Sequence, residues 1–242
     1  MNNPALTRRA TGLALLALAS LLLPGGGAHA HSEDDPLLFM WRFDKLEWRD
    51  AGDTEYAWKS YGWLGYDLNK LWIKTEGKHE AGELEKVELQ FLWSRAISTY
   101  WDLQVGYHHD IEPAFGRNWF AIGVNGVTPW FVELDAAVFY GENGRSALRI
   151  DAEYELMLTQ RLVLTPELEM NLYGRDDPAN RLGSGLSDVE AGLRLAYEIR
   201  REFAPYIGVS WERRFGSSAD FARADGKPVR DTQLVAGFRI WF

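Results

Sequence analysis

Carboxylates recur at every second position in two neighbouring segments of this sequence. Glu153 and Glu155 lie in the first segment, and Glu167 and Glu169 lie in the second. Side chains two residues apart share one face of a β-strand, so each segment would present a pair of acidic groups on one side. Such groups repel one another unless a cation or an arginine lies between them. The pattern indicates either a cation path or an ion-paired lining, and the sequence leaves both open.

Imidazole and thioether groups supply further candidate metal ligands. His108 closes a predicted strand, and its imidazole could bind Cu(II) together with Asp110 or Glu112. Met40 and Met157 are predicted to point inward near the opposite end of the fold, where two thioethers would suit the soft ion Cu(I). The alternative is structural, because a histidine near a loop is commonly solvated and a lone methionine commonly fills space.

Period-two alternation of apolar and polar side chains runs through the chain from residue 37 onward. It predicts about twelve β-strands, and an even number is typical of bacterial outer-membrane barrels. The predicted spans are 37–48, 55–65, 70–79, 84–95, 99–109, 117–126, 130–141, 146–158, 161–173, 186–199, 203–215 and 231–242. In 146–158, for example, Leu148 and Ile150 share one face, whereas Arg149 and Asp151 share the other. A soluble sandwich would alternate in the same way, so the period alone does not separate the two folds.

The last predicted strand distinguishes these folds. Its apolar face ends in an aromatic residue and consists of Leu234, Ala236, Phe238, Ile240 and Phe242. A free aromatic edge invites aggregation unless barrel closure pairs it with the first strand. We therefore predict an all-β fold, an antiparallel transmembrane β-barrel of the outer membrane. Its lumen would collect the carboxylates together with Arg149, Arg194 and Arg239.

The beginning of the sequence has the pattern of an export signal. Arg8 and Arg9 precede an apolar run from residue 13 to residue 23, and Ala28-His29-Ala30 follows with small residues at the expected cleavage positions. The predicted organisation is a signal peptide over residues 1–30, a short segment over 31–36 and the barrel over 37–242. The apolar run is shorter than the roughly 20 residues that a transmembrane helix requires.

The composition agrees with a membrane barrel that handles cations. The 242 residues include no cysteine, so disulfides and thiolate metal sites are excluded. The net charge of −9 makes nucleic acid an unsuitable partner and makes cations natural ligands. The 11 tryptophans, Trp119 among them, fall mostly near predicted strand ends, where interfacial girdles place them.

The predicted connections fall into two classes that alternate along the chain. The short ones are 66–69, 96–98, 126–129, 159–160 and 200–202, and the alternate set includes the long ones 109–116, 174–185 and 216–230. Outer-membrane barrels have short periplasmic turns and longer extracellular loops. We therefore expect the short set to face the periplasm and the long set to face outward.

The sequence from Asp35 to the end resembles the copper resistance protein B family, most specifically in four stretches. They are Gly62–Gly77, Tyr154–Pro166, Gly192–Gly208 and the final Phe238-Arg-Ile-Trp-Phe242. The resemblance implies an outer-membrane barrel that binds copper, contributes to copper tolerance and works with periplasmic copper-binding proteins. Family members commonly carry a Met- and His-rich segment before the barrel, whereas only His31 to Asp34 separate the predicted cleavage site from the resembling region here. Any copper is then expected to bind the barrel itself or a partner.

The sequence leads to a ranked set of functional hypotheses. The first is a copper-handling barrel with metal ligands at Met40, His108, Met157, Glu153, Glu155, Glu167 and Glu169. The alternative is a cation-selective pore without metal specificity. A barrel enzyme ranks last, because Ser94 and Ser98 are predicted at the opposite end from the histidines, and an enzymatic function is not expected.

Overall fold

A computed structural model describes residues 35–50, 54–80, 83–112 and 116–242. The predicted signal peptide 1–30 lies outside these residues, as does most of the segment 31–36. The described chain is mainly β-structure. Its strands are β1 Leu38–Asp50, β2 Thr54–Gly65, β3 Asn69–Glu80, β4 Glu83–Ser98, β5 Trp101–Glu112, β6 Arg117–Val127, β7 Val132–Gly141, β8 Arg145–Tyr154, β9 Leu156–Met157, β10 Leu162–Tyr173, β11 Gly185–Tyr197, β12 Phe203–Arg214 and β13 Arg230–Trp241.

The strands form one closed antiparallel barrel. Each strand pairs with its neighbours in sequence, and β1 pairs with β13 to close the sheet. At the seam, Trp41 N–H donates to the Phe242 carbonyl at 2.9 Å, and Phe242 N–H donates to the Trp41 carbonyl at 3.0 Å. Closure leaves no free edge, which is the condition for a sheet to lie in lipid. The predicted fold class and the role of the C-terminal strand are confirmed.

The barrel has twelve strands because β8 and β9 are parts of one strand, interrupted at Glu155. Both parts pair with β10 in the same register, in which Glu153 faces Glu167 and Leu156 faces Leu164. That register sets Tyr154 opposite Pro166, whose nitrogen carries no hydrogen to donate to the ladder. The predicted continuous strand over 146–158 is therefore broken where its partner cannot bond.

A β-bulge in β1 turns two consecutive side chains into the lumen. The register with β2 shifts between Phe43 and Lys45, and both Asp44 and Lys45 line the same internal cavity. Asp44 Oδ1 lies 3.0 Å from Arg239 Nε, and Lys45 Nζ lies 2.7 Å from Glu167 Oε1. An extra residue on one strand is how a bulge re-aims side chains. One strand thus supplies opposite charges at nearly the same height in the barrel.

The two ends of the barrel differ as predicted, but the long connection predicted over 109–116 was wrong, because β5 continues to Glu112 and β6 begins at Arg117. At one end, named the turn end, the connections are 66–68, 99–100, 128–131, 158–161 and 198–202. At the other, named the loop end, the longest are 174–184 and 215–229. The segment 215–229 contains a helix, α1 Gly216–Ala224, which the strand pattern did not predict. Within the described ranges, no helix has the length and apolar character needed to cross a membrane.

The two long segments contact each other at the loop end. The Gly183 N–H donates to Ser218 Oγ of α1 at 2.7 Å, and Arg181 contacts Asp225 at 2.8 Å. Below them, Ser218 Oγ lies 2.7 Å from Ser187 Oγ of β11. The backbone of Ser184 donates to Asp176 and lowers the pKa of that carboxyl below its usual value. The two longest loops are therefore joined to each other and to the barrel wall.

The outward face contains a close contact that a single methyl group should disturb. The Trp41 ring lies on Gly62, where an added Cβ would approach Trp41 Cε3 to 2.2 Å, and Trp41 Nε1 donates to Ser60 Oγ at 2.9 Å. We expect Gly62→Ala to lower the free energy of unfolding by about 1–3 kcal/mol, because the ring must move. Urea unfolding in detergent micelles measures this. In a Trp41→Leu background, Gly62→Ala should change the free energy of unfolding little. An equal decrease in both backgrounds would show that the contact between Trp41 and Gly62 is not the cause.

Candidate functional site

The barrel lumen holds two adjoining cavities lined mainly by charged side chains. The cavity toward the turn end has a volume of about 330 Å³, and Met40, Asn125 and Glu133 help to line it. The cavity toward the loop end has a volume of about 290 Å³, and Arg181 and Ser218 help to line it. Seven residues line both, namely Lys45, Lys59, Glu76, Glu88, Arg149, Glu169 and Glu190. This shared charged layer lies where the two cavities meet.

The first predicted pair of carboxylates is held by one arginine. Arg239 Nη2 donates to Glu153 at 2.9 Å, and Arg239 Nη1 donates to Glu155 at 2.7 Å. Glu155 is the more exposed of the two at the turn end, where Arg42 lies 3.8 Å away. The repulsion expected between the two carboxylates is therefore relieved by a guanidinium of the chain itself.

The second predicted pair is also neutralised by cations of the chain. Glu167 accepts hydrogen bonds from Lys45 at 2.7 Å and from Arg194. Glu169 lies 3.7 Å from Lys86 and 3.9 Å from Arg149, and it accepts a hydrogen bond from Asn171 at 3.0 Å. The ion-paired lining that the sequence left open is thus present around all four predicted carboxylates. Whether any of them binds a metal stays a prediction.

Lysines of the first strands reach across the lumen to acidic groups on distant strands. The pairs are Lys45–Glu167, Lys59–Asp151, Lys74–Asp135 and Lys78–Glu212. The paired residues are separated by 61 to 134 positions in the sequence. A charge pair that spans the lumen restrains opposite walls of the barrel, and partial burial makes it stronger than a surface pair.

The most deeply buried ion pair surrounds Glu47, whose side chain has no exposed area. Its carboxylate accepts hydrogen bonds from Arg49 Nε at 2.7 Å and from Arg194 Nε at 2.7 Å. The Tyr206 hydroxyl donates to the same carboxylate at 3.2 Å. Glu47 therefore has every partner that a buried carboxylate requires. This cluster has a structural role.

A second buried group has the composition of a metal site. Glu88 of β4 and His108 and Asp110 of β5 each offer one ligand atom, and these atoms lie within 4.8 Å of one another. His108 Nε2 lies 2.6 Å from Asp110 Oδ1 and 4.0 Å from Glu88 Oε2. The three side chains are between 2% and 5% exposed. One imidazole and two carboxylates form a donor set that suits Cu(II) or another divalent transition metal.

Two arginines already bond the carboxylates of this group. Arg149 donates to both oxygens of Glu88 at 2.6 and 2.8 Å, and Arg117 Nη2 lies 2.7 Å from Asp110 Oδ2. The His108 ring packs on Phe139 with 4.8 Å between centroids, and its buried Nδ1 has no hydrogen-bond partner among the described residues. The group is thus preorganised, and one imidazole nitrogen is left without a partner.

The predicted methionines are not brought together with His108. Met40 lines the cavity at the turn end. Met157 lies in the short strand β9 at the same end but is 69% exposed, so it contributes little to the enclosed lumen. His108 lies near the loop end, on the strand that follows the turn at 99–100. The seven predicted ligands therefore do not form one site, and any copper binding by them would occur at separate places along the lumen.

Glu88 was missed because the sequence prediction considered residues one strand at a time. The signal that could have found it is the short β4–β5 turn, which fixes the hairpin register and pairs Glu88 with Asp110.

The expectation that Trp119 lies in an interfacial girdle was wrong. Its side chain is 4% exposed, packs with Leu92 and Phe139, and donates to Asp110 Oδ2 at 2.9 Å, so it is part of the lumen instead of an interfacial girdle.

Comparisons with known proteins identify the family. The family model described as Copper resistance protein B precursor (CopB) matches residues 37–242. Copper resistance protein B of Escherichia coli is 41% identical over 219 residues, which cover 90% of this chain and 74% of that protein. The Copper resistance protein B homolog of Pseudomonas syringae pv. tomato (strain ATCC BAA-871 / DC3000) is 44% identical over 200 residues, covering 82% and 68% respectively.

Solved structures support the fold. The NanC porin structure matches with a TM-score of 0.53 and 10% identity, over 84% of this chain and 99% of that one. Identity this low shows a shared barrel architecture and nothing about substrate. A closed barrel of this kind, together with the family match, places the protein in the outer membrane and gives it a role in copper resistance. The chain is a member of the copper resistance protein B family.

Proposed function

We propose that this protein binds copper inside its barrel and handles copper ions at the outer membrane, with Glu88, His108 and Asp110 as the Cu(II) site. The observation that carries the proposal is the convergence of three ligand atoms within 4.8 Å in a buried position. A nitrogen and two oxygens are donors that Cu(II) favours, and Cu(II) is bound more tightly than neighbouring divalent metals by such sites.

Access to this site would run through the cavities. Glu88 lines both of them, so an ion in either cavity meets one ligand directly. Binding requires that copper replace part of the contact that Arg149 and Arg117 make with the carboxylates. Metal ligands must be deprotonated, so Cu(II) affinity should fall as the pH is lowered.

The other predicted ligands would serve as weaker contacts along the lumen. Glu153, Glu155, Glu167 and Glu169 are each paired with a cation of the chain, so a metal ion must exchange with Arg239, Lys45, Arg194, Lys86 or Arg149. Met40 and Met157 offer thioethers at the turn end, where Cu(I) would meet them. Periplasmic copper-binding proteins are the proposed partners at that end.

Copper titration of the purified barrel in detergent tests the proposal. We expect a single tight Cu(II) ion, with an electron paramagnetic resonance spectrum that shows nitrogen coordination. Cu(I) should bind more weakly in the Met40→Leu, Met157→Leu variant, while Cu(II) binding stays unchanged. An unrelated barrel of similar net charge is the control. Cu(II) binding no stronger than that of the control would contradict the proposal.

The alternative function is a cation-selective pore without metal specificity, which the two charged cavities favour. Single-channel recording in planar bilayers distinguishes it. A pore of this kind would conduct cations regardless of copper, and the Glu153→Gln, Glu167→Gln variant would lose cation preference. A copper-handling barrel would instead show conductance that copper blocks or changes, together with the tight Cu(II) site.

A further inference from the structure

Two arginines lie opposite each other at the loop end of the barrel. Arg213 of β12 and Arg230 of β13 are Cα partners in the last pair of that ladder, and both side chains are exposed. They point outward, because the neighbouring Glu212 and Arg214 line the lumen. Directly opposite side chains on one face have Cβ atoms about 5 Å apart, and like charges at that spacing are destabilising. An anion bound between the two arginines would relieve this repulsion.

The described part of the chain does not supply that anion. Within residues 35–50, 54–80, 83–112 and 116–242, neither arginine forms an ion pair with a carboxylate. The carboxylates of the same two strands and of the segment that joins them contact other groups, in the pairs Asp220–Arg223, Asp225–Arg181, Glu212–Lys78 and Asp231–Gln233. The Arg213 guanidinium lies over the Phe215 ring, 4.8 Å from its centroid. A ring in this position orients the guanidinium and leaves its N–H groups free to bind a ligand.

The pair lies just beyond the lipid-facing apolar surface. On the same two strands, Ile207 is 65% exposed and Leu234 is 64% exposed, and both project outward toward lipid tails. The arginines follow these residues toward the loop end, which faces the cell exterior in outer-membrane barrels. They are therefore at the height of the outer-leaflet headgroups. In the outer membrane, these headgroups belong to phosphorylated glycolipids.

We propose that Arg213 and Arg230 form a clamp for a phosphate group of an outer-leaflet glycolipid of the lipid A class. Two guanidinium groups provide charge-assisted, bidentate hydrogen bonds that match the geometry of a phosphate monoester. A bound phosphate converts the like-charge pair from a destabilising contact into a bridged one. The clamp fixes the height of the β12–β13 hairpin in the membrane, next to the segment 215–229, whose Ser218 and Asp225 help to line the lumen cavity.

Thermal unfolding of the purified protein in neutral detergent tests the clamp, with and without bisphosphorylated lipid A. The variants are the double variant Arg213→Gln, Arg230→Gln and, as a matched control, Arg95→Gln, which changes an exposed arginine that faces outward near the turn end. Without lipid, the double variant should melt at the same temperature as wild type or higher, because a repulsion is removed. With lipid A, wild type and the control should gain stability, and the double variant should bind roughly 100-fold more weakly.

Three results would each overturn the proposal. If lipid-free destabilisation occurs in the double variant, the arginines have a structural role. If dephosphorylated lipid A stabilises wild type equally, the phosphate is not recognised. If inorganic phosphate at the same concentration has the same effect, the ligand is a free anion and not a lipid. The clamp is supported if the double variant loses lipid A binding while wild type and the Arg95→Gln control keep it.

Discussion

Replacing His108 with alanine is expected to weaken Cu(II) binding by about 100-fold or more. Even the loss of a group that only orients a metal ligand costs about 10–100-fold in affinity, and His108 supplies the sole nitrogen of the group Glu88, His108 and Asp110. Calorimetric titration of the purified barrel measures the change. The nitrogen features of the Cu(II) electron paramagnetic resonance spectrum should disappear at the same time.

The neighbouring histidine provides the matched control. His109 is only partly buried, packs its ring on the exposed Tyr107 and lies on the outward face, so His109→Ala should leave Cu(II) binding unchanged. Glu88→Gln and Asp110→Asn should each weaken binding, since they remove anionic ligands and keep side-chain size. If His108→Ala binds Cu(II) as wild type does while the carboxylate variants do not, the site is purely acidic and our assignment of His108 is wrong.

Replacing Glu47 with leucine is expected to lower the free energy of unfolding by about 3–5 kcal/mol. The change removes the shared partner of Arg49 and Arg194, which are 4% and 3% exposed, and leaves two buried guanidinium groups close together. Arg49 keeps Glu190 and Arg194 keeps Glu167, so the barrel should still assemble. Urea unfolding of the detergent-solubilised barrel, followed by tryptophan fluorescence, provides the measurement.

A second substitution tests the cause of this loss. Glu47→Leu combined with Arg194→Met replaces the ion pair with apolar groups and should recover much of the stability, because well-packed apolar replacements of buried ion pairs are close to neutral. Glu142→Leu is the control, since this exposed glutamate should change stability by no more than about 0.5 kcal/mol. An equal loss in the single and double variants would mean that packing at position 47 matters, and not the unpaired charge.

The sequence predicted the strands well, because each strand depends on local alternation. In β10, Thr165 is 1% exposed and faces the lumen, whereas Leu168 is 38% exposed and faces lipid, as the period requires. The break at Glu155 was not predicted because it depends on Pro166 in the partner strand. The helix α1 was not predicted because its stability comes from contacts with β11, such as Ser218 with Ser187, and not from a strong local pattern.

The sequence by itself determined the barrel, its strand number, the unequal connections at its two ends and the family. These properties follow from the alternation of side chains, the lengths of the connections and the similarity of the sequence to the family. All three can be recognised from the order of residues in the chain. Only the tertiary structure decided the partners of the charges. Closure brings Lys78 to Glu212 across 134 residues, and the hairpin register brings Glu88 beside His108 and Asp110. Since electrostatic energy depends on distance in space, sequence position alone could not tell an ion-paired carboxylate from a candidate copper ligand.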